Sequence, residues 1–209
     1  VADRGMISQD TIQTLEKTEG VDYILGVRMR NSKEAKQEVL SRGGRYREVY
    51  PKSADPKAPS PLKVKEVRVG GRRYIVCHNE DQAAKDAADR DAIVKSLEDQ
   101  LKGGDKKFVG NKGFRKFLKS AGKAHFEVDY DKAREEERYD GKWVLRTSTQ
   151  LSAKDAALKY KQLWMVEDIF RTTKSTLDTR PIWHKCDETI RGHVFCSYLA
   201  LALRVALRE

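Results

Sequence analysis

Apolar and polar residues alternate along this chain with two different periods, and the switches between them mark its elements. Val1 and Ala2 read as the end of a strand, with Asp3 at its C-terminal end and a turn at Gly5. Ser8 is a good N-cap for a helix through about Lys17. VDYILGVRM, residues 21–29, is a short, mostly apolar run that suits a central strand. Residues 33–41 suit a helix ended by Gly43 and Gly44.

From Arg45 the period shortens to two. REVYP and a Pro- and Ser-containing loop over residues 51–61 lead into KVKEVRV and RRYIVCHN. Gly70-Gly71 between these runs predicts a hairpin, because a primed turn needs two residues with positive φ. Helical spacing returns over Asp81–Leu101, with Ala84, Ala88, Ile93, Leu97 and Leu101 on one side and Gly103-Gly104 as the stop. GNKGFRKFLKSA, residues 110–121, reads as a short basic helix. AHFEVDY and KWVLRTST read as strands, the second entered through an Asp140-Gly141 turn. Lys132–Arg138 between them is a charged bridge without a chemical signal. Ser152 and Asp155 form a capping-box pattern at the start of the next helix. A last helix spans about Thr189–Leu207, and its apolar run from Val194 reads as a buried core helix, too short to cross a membrane and broken by Arg204.

The helix after Ser152 carries the chemistry. At about 100° per residue, Tyr160, Leu163, Trp164, Glu167, Phe170, Arg171 and Lys174 project from one side. That side is aromatic and apolar except at Glu167 and the basic pair after it. A carboxylate on an inward face needs a cation, a donor or a metal ion, since burying it unpaired is costly. Arg171, at i+4, offers an internal ion pair as the plain alternative.

Tyr160, Glu167 and Lys174 are spaced as in the signature of bacterial insertion-sequence transposases of the DDE type, which this chain resembles. That signature runs Tyr, two residues, Arg, three residues, Glu, six residues, Lys, and Leu163 stands here where the arginine usually falls. The segment KSTLDTRPIWHKCDETIRGHVFCSYLALAL is also similar to that family. So is the opening ADRGMIS, where Asp3 occupies the place of the second catalytic aspartate. The resemblance implies an α/β fold: a partial ribonuclease-H-like core over residues 1–30 and 143–209, interrupted by a β-containing insertion over 31–142. The family's first aspartate lies upstream of its second, so the chain is expected to be the C-terminal portion of a longer protein and inactive alone.

The resemblance also implies the chemistry. Phosphodiester cleavage needs a strong nucleophile and relief of charge at phosphorus, which paired divalent ions supply. Asp3 and Glu167 are the expected catalytic residues and ligands of Mg²⁺ or Mn²⁺, hard ions that prefer carboxylate oxygens. Tyr160, Arg171 and Lys174 are the expected DNA contacts. The implied partners are double-stranded DNA, as transposon ends and target, and a second copy of the protein in the DNA complex. The implied setting is the bacterial cytoplasm, in association with the nucleoid. Two other readings stay open: a non-catalytic DNA-binding remnant, and a nuclease of the same core fold that hydrolyses without strand transfer.

Charge supports a polyanionic partner. The net charge is +10, and residues 28–73 hold 14 Lys and Arg against 5 Asp and Glu, a local surplus of nine. Such concentration attracts a phosphate backbone through counterion release and steering. Three cysteines without regular spacing argue against a disulfide framework. His184, Cys186, His193 and Cys196 lie close in sequence, but their spacing is not a standard zinc pattern. GGDKKFVGNKG lacks the spacing of a phosphate loop, and no nucleophile elbow is present.

Overall fold

The computed structural model describes residues 1–55, 57–102, 115–122, 125–163, 171 and 181–206. It divides into two compact units, Ala2–Ala157 and Leu158–Glu209 with Val1. The first is mixed α/β and is built on five strands: β1 (Ile24–Val27), β2 (Arg47–Tyr50), β3 (Leu62–Val69), β4 (Arg72–His78) and β7 (Lys142–Thr147). They form an antiparallel sheet in the order β1-β7-β4-β3-β2.

Strand β4 sits at the centre and is covered on both faces, which is why Tyr74, Ile75, Val76 and Cys77 are all buried in succession. The β3–β4 hairpin forms as its glycines require: Gly70 and Gly71 have φ of 54° and 76°. On one sheet face, the register places Leu25, Arg146, Tyr74 and Val67 in a cross-strand row. Tyr74 and Val67 belong to a core with Met29, Val39, Val69, Val76, Tyr139 and Val144. Val39 and Ala35 come from a wide helical turn (Ala35–Val39), within the segment expected to be helical. The expected strand over residues 21–29 contracts to β1, at the edge of the antiparallel order rather than in its middle. Ala2 bridges to Leu25 in parallel, so β1 has a neighbour on that outer side.

Helix α1 (Gln9–Lys17) starts where Ser8 caps it, with Ser8 Oγ accepting from Thr11 N at 3.1 Å. Helix α2 (Glu80–Lys102) starts one residue before the expected boundary, and Asn79 Oδ1 accepts from Gln82 N at 2.9 Å. Leu97 of α2 builds a second core with Phe117 and Val128. The antiparallel pair beneath it, β5 (Leu118–Gly122) and β6 (His125–Val128), corrects the basic helix expected over 110–121 in its part from Leu118 on; residues 110–114 lie outside the described residues. Leu118 pairs with Val128, and strand pairing overrides the weak helical preference of so short a segment. The charged bridge folds as a helix, α3 (Tyr130–Glu137), capped by Asp129, whose Oδ1 accepts from Lys132 N at 2.8 Å.

The Asp140-Gly141 turn is fixed against α2. Gly141 has φ 61°, and a Cβ there would overlap the Asn79 carbonyl oxygen and meet Ala83 N at 2.7 Å. Its amide donates to Asp86 Oδ2 at 2.9 Å, while Arg90 grips both Asp140 oxygens at 2.6 and 2.7 Å.

Helix α4 (Ala153–Lys161) begins at the predicted capping box: Ser152 Oγ accepts from Asp155 N at 3.1 Å and donates to Asp155 Oδ2 at 2.6 Å. In the second unit, helix α5 (Asp187–Ala206) corrects the expectation of a buried core helix. Val194, Phe195, Tyr198, Leu199 and Leu203 are exposed, Phe195 at 61% and Tyr198 at 65%. A helix apolar on so many sides needs cover all round, and the described residues do not provide it.

Candidate active site and adjoining groove

Asp3 stands where a strand end becomes a turn. Ala2 N donates to Ile24 O at 3.0 Å and Gly26 N to Ala2 O at 3.1 Å, which docks the opening residues alongside β1. The chain then turns through a 3₁₀ segment, Arg4–Met6, capped by Asp3 itself. Asp3 Oδ2 accepts from Gly5 N at 3.2 Å, and the Asp3 carbonyl accepts from Met6 N at 3.0 Å. Because the pairing is parallel, Asp3 and the residues after β1 emerge at the same sheet edge. Arg28 uses this: its Nε donates to Arg4 O at 2.9 Å and its guanidinium reaches Gly5 O at 3.4 Å. Asp3 therefore lines a hollow of 290 Å³ whose other charged members are Arg4, Arg28 and Arg30.

Arg30 is held from behind. Its Nε donates to Glu136 Oε2 at 2.7 Å, and its guanidinium lies 4.8 Å from the Tyr139 ring centroid. Glu136 is 5% exposed and also takes Lys116 Nζ at 2.5 Å. Burial alone would raise the Glu136 carboxyl, but the hydrogen bonds from Lys116 and Arg30 outweigh it and hold it below the usual range.

A larger groove of 530 Å³ adjoins this hollow and shares Arg4, Arg28 and Asn31 with it. Leu25, Val27, Ile12 and Tyr74 give it an apolar lining, with Lys33, Glu34, Arg72 and Arg146 as its further charged members. Arg146 is 7% exposed and paired with Glu16 of α1. Burial works against its charge, but the hydrogen bond with Tyr23 and the Glu16 carboxylate outweigh it and push its pKa up. Its Nε is buried without a hydrogen-bond partner among the described residues. Burial and then Glu34 push the Tyr74 phenol up, so it stays neutral.

Among the other expected site residues, Tyr160 is half-buried on α4 and Arg171 is helical and exposed. Both belong to the second unit. Glu167 and Lys174 lie outside the described residues. His184 and His193 meet edge to face at 5.3 Å, and Cys186 and Cys196 are exposed free thiols. Among the described residues, no three His, Cys, Asp or Glu side chains converge as a metal site.

The arginines around Asp3 and the groove were not singled out from sequence. The surplus beginning at Arg28 pointed to the region, but not to these side chains. Arg146 had a sharper signal: it shares the inward face of KWVLRT with Val144, two residues away, where an apolar residue would be expected.

These features define a mixed α/β domain with an antiparallel sheet and an acid set among arginines. The chain belongs to the transposase DDE domain family, whose model matches residues 1–203. Membership identifies it as a transposase domain. No match was found among curated proteins or among solved structures. No helix among the described residues is long and apolar enough to cross a membrane.

Proposed function

We propose that this chain is part of the catalytic domain of an insertion-sequence DNA transposase, which cuts transposon ends in a metal-dependent reaction and joins the freed 3′-OH to target DNA. The observation that carries the reading is the family match across residues 1–203. On this reading residues 1–30 and 143–209 contribute a ribonuclease-H-like core, with 31–142 as its insertion. Asp3 and Glu167 supply two of the carboxylates. Two copies hold a pair of DNA ends together, in the cytoplasm and at the nucleoid of a bacterium.

The donor chemistry at Asp3 fits a hard divalent ion. The hollow offers one carboxylate oxygen donor, which Mg²⁺ and Mn²⁺ favour, beside three arginines that oppose a cation, so an ion would be held only with Glu167 and further carboxylates added to Asp3. Asp3 and Glu167 would hold the ions, which when bound activate the attacking oxygen and relieve charge on the leaving one. The chain's own residues do the rest. Arg28 fixes the turn that presents Asp3. Arg30, braced by Glu136 and Tyr139, offsets phosphate charge beside it. Tyr160, Arg171 and Lys174 hold the phosphates of the transposon end.

The test uses full-length protein, a labelled transposon-end duplex and Mn²⁺. Wild type gives 3′-OH nicks and joined products. Asp3→Asn and Glu167→Gln each slow cleavage by roughly 10³-fold, the scale of losing a main transition-state stabiliser. DNA affinity stays within about twofold, and calorimetry detects weaker Mn²⁺ binding. Cleavage by Asp3→Asn at the wild-type rate removes Asp3 from the site. Nicks without joined products point to the nuclease instead.

A further inference from the structure

We propose that the groove between α1, β1 and the segment after β1 is a second phosphate-binding site, which holds the backbone of the DNA strand beyond the Asp3 hollow. The inference rests on the transposase reading. It goes further in assigning binding to Lys33, Arg72 and Arg146, residues that neither the family signature nor the Asp3 hollow includes.

Three features of the groove point the same way. Five cations line it, Arg4, Arg28, Lys33, Arg72 and Arg146, against one acid, Glu34. A cavity so lined concentrates positive potential and selects an anion. Arg146 supplies the second feature. A buried N–H donor without a partner is uncommon in a folded protein and calls for an acceptor. Arg146 Nε is such a donor, on a side chain only 9% exposed, and its other end is fixed by Glu16. The arginine is therefore preorganised by α1 where it lines the groove.

The third feature is the entrance. Ser8 and Gln9 line the groove, so the first turn of α1 faces it, where backbone N–H groups favour negative charge. Arg72 is half-exposed and only loosely engaged with Glu34, at 3.3 Å. A phosphate oxygen competes well for that guanidinium, because Arg–phosphate bonds are charge-assisted and bidentate. The shared residues Arg4, Arg28 and Asn31 make the groove continuous with the Asp3 hollow, as one strand threading both requires.

The experiment compares full-length wild type with Lys33→Ala/Arg72→Ala and with Glu34→Gln. Affinity for transposon-end duplex is measured by fluorescence anisotropy across a salt series, and circular dichroism checks that each variant is folded. The double variant lowers the slope of log K against log salt by about 0.9 for each phosphate that is no longer neutralised. Glu34→Gln shifts affinity the opposite way and binds more tightly, a change that damage to the fold would not produce. An unchanged slope in a folded double variant overturns the proposal. Titration with inorganic phosphate separates the two sources of the anion. Protection of wild type by free phosphate, with DNA binding untouched in the double variant, overturns the assignment to DNA. Failure of wild type to cut any transposon end defeats the transposase reading instead, and the cleavage assay reports that independently of the slope.

Discussion

Glu136 is the residue on which most of the local electrostatics turns. It joins Arg30, on the segment after β1, to Lys116, just before β5, although these lie 106 and 20 residues away in sequence. Glu136→Gln keeps the shape and removes the charge, leaving two cations that are half-exposed and regain water. The expected cost is about 1–2 kcal/mol, below that of breaking a fully buried pair. Its neighbour Glu135 is lowered to about 2 by hydrogen bonds from Lys132 and Lys36. Both carboxyls titrate below their unfolded values. Their contribution is therefore complete above the ordinary glutamate range and is lost as pH falls through each lowered value, about 2 for Glu135. Urea midpoints between about pH 6 and 2.5 should fall steeply in wild type and less steeply in Glu136→Gln; parallel curves would dissociate Glu136 from acid sensitivity. None of this was legible in the sequence. Lys132–Arg138 sets three consecutive acids between basic residues without an apolar stripe, and the burial of one of those acids depends on partners brought from distant segments.

Turns and caps were the most legible elements, because a few local residues decide them. Ser8, Ser152 and Gly70-Gly71 act where their chemistry predicts. Strand pairing was less legible. Leu118–Gly122 has no helix-excluding residue until its last position, and its partner lies further along the chain. The glycines at two turns separate local from tertiary constraint. Gly70 faces open space, so Gly70→Ala meets only left-handed backbone strain, about 1 kcal/mol. Gly141→Ala adds a collision with the Asn79 carbonyl and Ala83 at the start of α2, and should cost about 3 kcal/mol. Chemical denaturation of both variants tests this, and equal losses would show that the turn backs away from α2 freely.

At the scale of the molecule, the exposed stripe on α5 is the strongest physical liability. Val194, Phe195, Tyr198, Leu199 and Leu203 form an apolar patch of the kind that drives association. Sedimentation velocity should show the average mass rising with concentration, and Phe195→Ser with Leu199→Ser should suppress the rise. Concentration-independent monomers in wild type would mean that the stripe is covered in solution. The sequence showed the helix and its apolarity, but burial belongs to a helix's surroundings and not to its composition. The same limit applies to the candidate site. Asp3 could be picked out only by resemblance, since one acid before a turn is ordinary, whereas the arginines around it become visible only when the register of β1 is known.

The bonds that fasten the turn bearing Asp3 include surface ones, from Gly5 to its carboxylate and from Arg28 to two carbonyls. Such bonds exchange readily with water, so the carboxylate is placed less firmly than a side chain fixed in the core. Substrate and ions would complete its placement, and part of their binding free energy would be converted into order. On the proposed function, such a site would discriminate at the chemical step more than at initial capture: a wrong DNA end could be held without completing the site that would cut it.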